Sequence, residues 1–274
     1  MESAQLPPYA GLYPYMLRFE RDFDYQRAMA WMDANWTQCV NWSVFYLLMI
    51  VLGQRWMQNR TKYALRGPLI CWNLLLGLFS VLGTVRFVPP LLSDVRQHGF
   101  EWTLCSATWY RDPVLHLWGS AFAFSKVLEF GDTVFIILRK QKLIFLHWYH
   151  HVTVLFYVWL SYKEQLAGGR WFIALNYGVH ATMYMYYAAR AAGIHVPRKV
   201  AMVITSSQTL QMVIGCVINY VSYKLLFVDK VPGCSASLTN IVVSSVMYFT
   251  YLLLFLHFFY GAYVKKSILR NKQQ

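Results

Sequence analysis

From residue 38 to residue 264 the chain is a succession of apolar stretches separated by short polar turns, near 38–57, 68–88, 114–138, 143–162, 171–190, 200–226 and 240–264. Each is about twenty residues long, the length a helix needs to cross the hydrocarbon core. Lipid offers no partner to a backbone N–H or C=O, so such stretches must satisfy their own backbone as helices. The composition agrees. Charged residues make up 14% of the chain and hydrophobic ones 57%, whereas soluble domains carry roughly 25% charge. The expected fold class is all-α, a polytopic membrane protein with seven transmembrane helices in one domain. A segment 1–37 precedes the helical domain 38–264, and a basic tail 265–274 follows it. No internal repeat is evident, and the first thirty residues hold no apolar signal-peptide core.

Charge divides the connecting segments into two groups. Arg55, Arg60, Lys62 and Arg66, then Arg139, Lys140 and Lys142, then Arg190, Arg198 and Lys199, then Lys265, Lys266, Arg270 and Lys272 fall on one side, with no acid among them. The other side holds ten of the twelve acids, including Glu20, Asp22, Asp24, Asp94, Glu101 and Asp229, and ten basic residues. The positive-inside rule places the acid-free side in the cytosol and the N-terminus in a lumen. The cytosolic charge sets topology and attracts anionic lipid. It would equally recruit a polyanionic substrate such as a CoA or a nucleotide. Nucleic acid does not fit loops this short.

Cys105 and Cys234 lie in two different loops on the lumenal side, where an oxidising compartment allows them to pair or leaves two free thiols. Asn35-Trp36-Thr37 is a lumenal glycosylation sequon. Asn41-Trp42-Ser43 sits too close to the first span, and Asn59-Arg60-Thr61 lies on the wrong side.

Polar groups inside spans are expensive and mark function by default. His147, His150 and His151 recur at i, i+3 and i+4, which puts three imidazoles on one helix face. Lys126, Glu129 and Asp132 share a face of the third span. They form either a neutralised ion pair or a carboxylate set to orient a histidine from another helix. Asn176, His180, Tyr184 and Tyr187 form a stripe on the fifth span, and Thr205, Gln208 and Gln211 one on the sixth. Such stripes must face one another or a watery cavity.

Two chemistries use clustered histidines. Diiron membrane desaturases and hydroxylases carry His-x-x-His-His boxes, but with a larger histidine set spread over three boxes. Of the eight histidines here, His98 and His116 belong to the lumenal side, His195 to a cytosolic loop and His257 to the far end of the last span. That leaves His147, His150, His151 and His180 to meet. Four ligands suffice for zinc, yet no cysteine or carboxylate shares ligand spacing with them. The second chemistry is acyl transfer, in which an imidazole kept neutral by low dielectric attacks a thioester. No serine-hydrolase motif is present, and Cys71 and Cys216 lack a neighbouring base. The receptor hallmarks Asp-Arg-Tyr and Asn-Pro-x-x-Tyr are missing from the relevant spans.

Four blocks follow in order: Lys126-x-x-Glu129-x-x-Asp132-Thr133, His147-x-x-His150-His151, His180-x-x-Met183-Tyr184-x-Tyr186-Tyr187, and Thr205-x-x-Gln208-x-x-Gln211. Together they resemble the very-long-chain fatty acid elongases, the condensing enzymes (3-oxoacyl-CoA synthases) of the endoplasmic reticulum. The resemblance covers roughly residues 30–265. The stretch Phe145 to Val154 is similar to the subgroup of elongase proteins 3 and 6. The resemblance implies seven helices, six of them an inverted barrel around a substrate tunnel. It implies acyl-CoA and malonyl-CoA as substrates, no cofactor and no metal. His150 would accept the acyl group, assisted by His147, His151 and His180. Lys126, Glu129, Asp132, Asn176, Tyr184, Tyr187, Gln208 and Gln211 would face substrate, and Arg139, Lys140, Lys199, Lys265 and Lys266 would meet the CoA. Expected partners are these two CoA esters and membrane lipid, with a second copy of the chain and the other elongation-cycle enzymes as candidates.

Overall fold

In the computed structural model, which describes residues 9–13 and 16–265, the regular elements among the described residues are all helical. They are α1 (Arg18–Arg21), α2 (Tyr25–Asn35), α3 (Gln38–Met57), α4 (Arg66–His98), α5 (Phe100–Cys105), α6 (Pro113–Leu128), α7 (Phe130–Leu138), α8 (Phe145–Lys163), α9 (Gly169–Ala191), α10 (Arg198–Tyr223) and α11 (Leu238–Phe259). π-helical turns Lys224–Val228 and Tyr260–Lys265 extend α10 and α11.

Local chemistry starts several of these helices. Asp24 accepts the Arg27 amide at 3.0 Å to open α2, Asp112 accepts the Leu115 amide at 3.0 Å ahead of Pro113 in α6, and Ser237 accepts the Asn240 amide at 3.0 Å for α11. Each side-chain oxygen satisfies a donor that the first turn leaves free, and Pro suits the first helical position.

Three helices among the described residues are long and apolar enough to cross a membrane on their own: Arg66–His98, Arg198–Val228 and Leu238–Lys265. A fourth span counts if α2 and α3, bent by 65°, are one. The helices α8 and α9 have the length, 19 and 23 residues, but their histidines, tyrosines and Asn176 lower their hydropathy. The protein is a membrane protein, and many of its large apolar side chains are exposed on the outer surface of the bundle. On α4 the exposed residues are Leu75, Leu78, Leu82 and Val85; on α10 Val203, Leu210, Val213 and Val217; on α11 Val242, Val246, Phe249 and Leu253. These repeats at three- and four-residue intervals form lipid-facing stripes.

Two apolar stretches differ from their expected bounds. The stretch 68–88 continues ten residues further as a helix, because α4 runs through Pro89-Pro90 to His98. Tertiary anchors grip it on both sides of the prolines: Arg86 pairs with Glu20, and Asp94 with Arg170. The stretch 114–138 is divided at Glu129. There the turn tightens, and the Asp132 amide reaches the Glu129 carbonyl at 3.0 Å.

The acid-bearing end is tightly tied. Arg86 donates two hydrogen bonds of 2.8 Å to Glu20, whose carboxylate also accepts the Trp118 indole at 2.8 Å and the Leu17 amide at 3.0 Å. The Tyr9 hydroxyl donates to Asp94 at 2.7 Å and the Tyr13 hydroxyl to Asp112 at 3.1 Å. The segment before the first span is therefore part of the core, with Tyr13, Glu20 and Met32 buried. Cys105 and Cys234 form a disulfide at this same end, as their shared side allowed. At the opposite, basic end the turns tie to one another: Arg66 donates to the Ala191 carbonyl at 3.0 Å and Lys140 to that of Gln58 at 3.1 Å.

Candidate functional site

A cavity of about 620 Å³ opens at the basic end and reaches the middle of the bundle. Its walls come from α4, α7, α8, α9, α10 and α11, and no residue of α3 lines it. Arg139, Lys142 and Arg190 stand at the mouth, and His147, His150, His151 and His180 line the interior with Glu129, Asp132, Asn176, Tyr184, Tyr187, Gln208 and Gln211. The polar stripes seen in the sequence thus converge on one space from four helices.

The three imidazoles of α8 share a face because α8 is regular over Phe145–Lys163. The rings of His147 and His151 lie 4.5 Å apart between centroids, and those of His150 and His151 5.5 Å. His147 Nε2 is 2.8 Å from Thr133 Oγ1, which is itself 2.8 Å from the Tyr46 hydroxyl. That chain, running from α3 through α7 to α8, fixes the orientation of the His147 ring. His150 makes no side-chain hydrogen bond among the described residues. Its ring lies 5.1 Å from that of Tyr251, whose hydroxyl donates to the His150 carbonyl at 3.1 Å. Of the four cavity histidines, only His147 makes a side-chain hydrogen bond among the described residues. His151 Nδ1 is buried without a hydrogen-bond partner among the described residues.

Opposite them, Glu129 Oε1 accepts Lys126 Nζ at 2.7 Å and the Ser125 hydroxyl at 3.1 Å, and stands 3.9 Å from His180 Nδ1. The ion pair of the third span is present, and the same carboxylate stands near a histidine of another helix, although 3.9 Å is too long for a hydrogen bond that would orient it. Glu129 Oε2 is buried and unpartnered among the described residues. Asp132 accepts the Trp72 indole at 2.6 Å and the Tyr184 hydroxyl at 2.8 Å, which clamps α4, α7 and α9 together.

Other predicted residues stand elsewhere. Lys126 is buried but does not line the cavity, because its ammonium is held by Glu129 and by Asn176 at 3.0 Å. Lys140, Lys199 and Lys265 are exposed, and none lines the cavity. Lys266 lies outside the described residues. Asn35 ends α2 half-exposed, its side-chain amide donating to the Trp31 carbonyl at 2.8 Å. Thr133, Tyr46, Trp72 and Tyr251 were missed as site residues. Thr133 closes the Lys126 block but was given no role there, whereas a lone Tyr46 in an apolar helix gives no signal. Arg190 and Lys142 stood among the basic residues but only the fold picks them out. Among the described residues no three His, Cys, Asp or Glu side chains converge to hold a metal ion.

Residues 31–271 match the ELO: GNS1/SUR4 family. The chain belongs to the ELO family. It is 48% identical over 254 residues to a very long chain fatty acid elongase 6 of Gallus gallus, covering 93% of this chain and 95% of that one. It is 49% identical over 248 residues to the elongase 6 of Mus musculus, covering 90% and 92%. To the elongase 3 of Mus musculus it is 40% identical over 255 residues, covering 92% and 93%. The ELO match spans the helices that wall the cavity, so the four histidines lie inside the shared region.

Proposed function

We propose that this ELO protein is an enzyme of fatty acid elongation that condenses a long-chain acyl-CoA with malonyl-CoA, giving a 3-oxoacyl-CoA two carbons longer, carbon dioxide and free CoA. The observation that carries the reading is the single cavity joining an acid-free basic mouth to four histidines in mid-bundle. A polyanionic CoA is drawn to the mouth, and its thioester end reaches the imidazoles.

The chemistry runs in two halves. An imidazole nitrogen of His150 attacks the thioester carbonyl, the carbon–sulfur bond breaks, and the CoA thiolate leaves with the imidazole proton. Malonyl-CoA then loses carbon dioxide. The resulting enolate carbon attacks the acyl-imidazole carbonyl, which forms the carbon–carbon bond and breaks the carbon–nitrogen bond; the departing imidazole nitrogen takes up one proton from solvent, relayed by a neighbouring histidine, and returns to neutral imidazole. His147, His151 and His180 transfer protons and stabilise the enolate and oxyanion charge. Glu129 stands 3.9 Å from His180, and Thr133 positions His147. The hydrogen bond from Thr133 disfavours His147 as nucleophile, since that bond would have to break first; the choice of His150 over His151 and His180 rests on the family resemblance.

In this reading seven spans cross the membrane of the endoplasmic reticulum: α3, α4, α6 with α7, α8, α9, α10 and α11. All but α3 ring the tunnel. The acid-bearing end with its disulfide is lumenal, with Asn35 open to glycosylation, and the basic end is cytosolic.

The test is direct. Purified protein given long-chain acyl-CoA and labelled malonyl-CoA should release labelled 3-oxoacyl-CoA, and acyl-CoA alone should leave one acyl group on His150 by peptide mass spectrometry. An acyl group trapped on any other residue refutes the nucleophile, and a lack of condensation refutes the activity.

A further inference from the structure

One hydrogen-bond chain joins three helices behind the cavity wall. The Tyr46 hydroxyl of α3 lies 2.8 Å from Thr133 Oγ1 of α7, which lies 2.8 Å from His147 Nε2 of α8. Tyr46 and Thr133 are fully buried, and neither hydroxyl has a further partner among the described residues. The Tyr46 ring stacks on Phe130, their centroids 4.2 Å apart, which holds its hydroxyl at Thr133. Because α3 itself lines none of the cavity, the chain reaches the histidine from outside.

The hydrogens of such a chain can be counted. Each of its two gaps takes one hydrogen, and the phenol and the threonine hydroxyl bring one each. If Tyr46 donates to Thr133 and Thr133 donates to Nε2, both are used, and Nε2 is a bare acceptor. If instead Nε2 carried a hydrogen and donated it to Thr133, one hydroxyl hydrogen would be left in the core with no acceptor. Buried donors in native proteins are paired. The chain therefore runs one way, from Tyr46 to Nε2, and neutral His147 carries its hydrogen on Nδ1.

Nδ1 is the free end. It has no protein partner among the described residues, it is not enclosed, and His147 lines the cavity. The one lone pair of this imidazole sits on Nε2, where Thr133 occupies it. Towards the cavity the ring thus offers a hydrogen and nothing that could take a proton from a substrate.

We infer that Tyr46, acting through Thr133, sets the tautomer of His147 and makes it a fixed hydrogen-bond donor to the oxygen that turns negative, in the thioester adduct or in the enolate. Tyr46 and Thr133 are positioning residues. The inference rests on the condensing reading above and divides the labour left shared there, since proton transfer then falls to His151 and His180.

Nitrogen NMR of the full chain with isotope-labelled histidine reads the tautomer directly, because bare and hydrogen-bearing ring nitrogens give separate signals. The signals missing from His147→Asn identify His147. In the wild type they should show a bare Nε2 and a hydrogen on Nδ1. Thr133→Val should lose that preference and lower kcat on the order of a hundredfold with KM little changed, the cost of one oriented oxyanion donor. Thr133→Ser keeps the hydroxyl and should restore both the tautomer and most of the rate. Tyr46→Phe keeps the stack but frees Thr133 to bond back to its own helix, so its loss should be intermediate. If Thr133→Val fails to fold, the spectra of the wild type and Tyr46→Phe carry the answer. A wild-type His147 with its hydrogen on Nε2, or full kcat in folded Thr133→Val, overturns the inference. A wild type that condenses no acyl-CoA overturns the condensing reading instead, whichever tautomer the spectrum shows.

Discussion

His116 and His151 are both buried histidines of this bundle, 0% and 5% exposed, and their surroundings are opposite in kind. His116 Nδ1 lies 2.8 Å from the Tyr110 carbonyl and Nε2 2.5 Å from the Tyr162 hydroxyl, which is also bonded to Ser120. Every polar atom of that ring has a protein partner. Around it the acid-bearing end is equally complete, with Glu20 bonded to Arg86, Trp118 and Leu17. In mid-bundle His151 Nδ1 and Glu129 Oε2 have no partner among the described residues, and His150 has no side-chain bond, yet all three residues line a cavity. Buried polar groups that close on one another act as struts, while open valences facing a cavity await a ligand. Burial and residue type are thus alike for these two histidines, and what distinguishes them is how many of their polar atoms are satisfied.

The strongest way to break this contrast is to delete one histidine from each region. His150→Ala should lower condensation by on the order of a thousandfold or more, as loss of a nucleophile does in other enzymes, and leave the thermal midpoint near that of the wild type. His116→Ala should leave the rate per folded molecule nearly intact. It should cost about 1–3 kcal/mol of stability, because the Tyr110 carbonyl and Tyr162 hydroxyl lose a buried partner. Thermal unfolding in detergent beside a rate assay reads both. If His150→Ala unfolds the protein while His116→Ala slows catalysis at full stability, the assignment of the two regions is reversed.

Glu20 is the largest stability test. Glu20→Ala leaves Arg86 buried without a counter-charge, which should cost about 3–5 kcal/mol, while the double change Glu20→Gln with Arg86→Met should recover most of it. The same pair predicts a pH effect. Burial alone would raise the Glu20 carboxyl, but the Arg86 guanidinium, the Trp118 indole and the Leu17 amide outweigh it and hold the group below the ordinary glutamate value of 4.5. A carboxylate depressed in the folded state contributes stability above its unfolded pKa and loses it as pH falls through the folded one. The stability gap between wild type and Glu20→Gln should therefore be full at neutral pH and shrink below about 4.5 as the wild type takes up its proton. A gap that stays constant through that range would show that the pair is not the source.

The midsection of this protein was legible in the sequence because lipid makes polar residues conspicuous. The histidine triplet, His180, Asn176 and the glutamines stood out against apolar neighbours, and regular helices carried them to one cavity as their spacing required. The acid-bearing end was opaque for the converse reason. Tyr9, Tyr13 and Glu20 lie in an ordinary polar segment, and their partners Asp94, Asp112 and Arg86 are far away in the chain, so no local period links them. The passage of α4 through Pro89-Pro90 was hidden too, since it is decided by tertiary anchors that override local propensity.

The smallest effects belong to the basic end, and they sharpen the comparison between groups that line a cavity and groups that only lie near it. Arg139, Lys142 and Arg190 line the mouth, whereas Lys140 and Lys199 are exposed and line nothing. A charge in the wall of a low-dielectric opening acts on a bound phosphate with little screening, while an exposed charge acts through salt water that damps it within about 8–10 Å. Arg190→Ala should accordingly raise KM for acyl-CoA on the order of tenfold, with kcat little changed, since it removes binding made equally in ground and transition states. Lys199→Ala should raise KM less than about threefold, an effect worth under 1 kcal/mol like other exposed charges, and added salt should erase it. Equal and equally salt-sensitive losses in the two variants would mean that the whole basic face, rather than the residues lining its opening, receives the CoA.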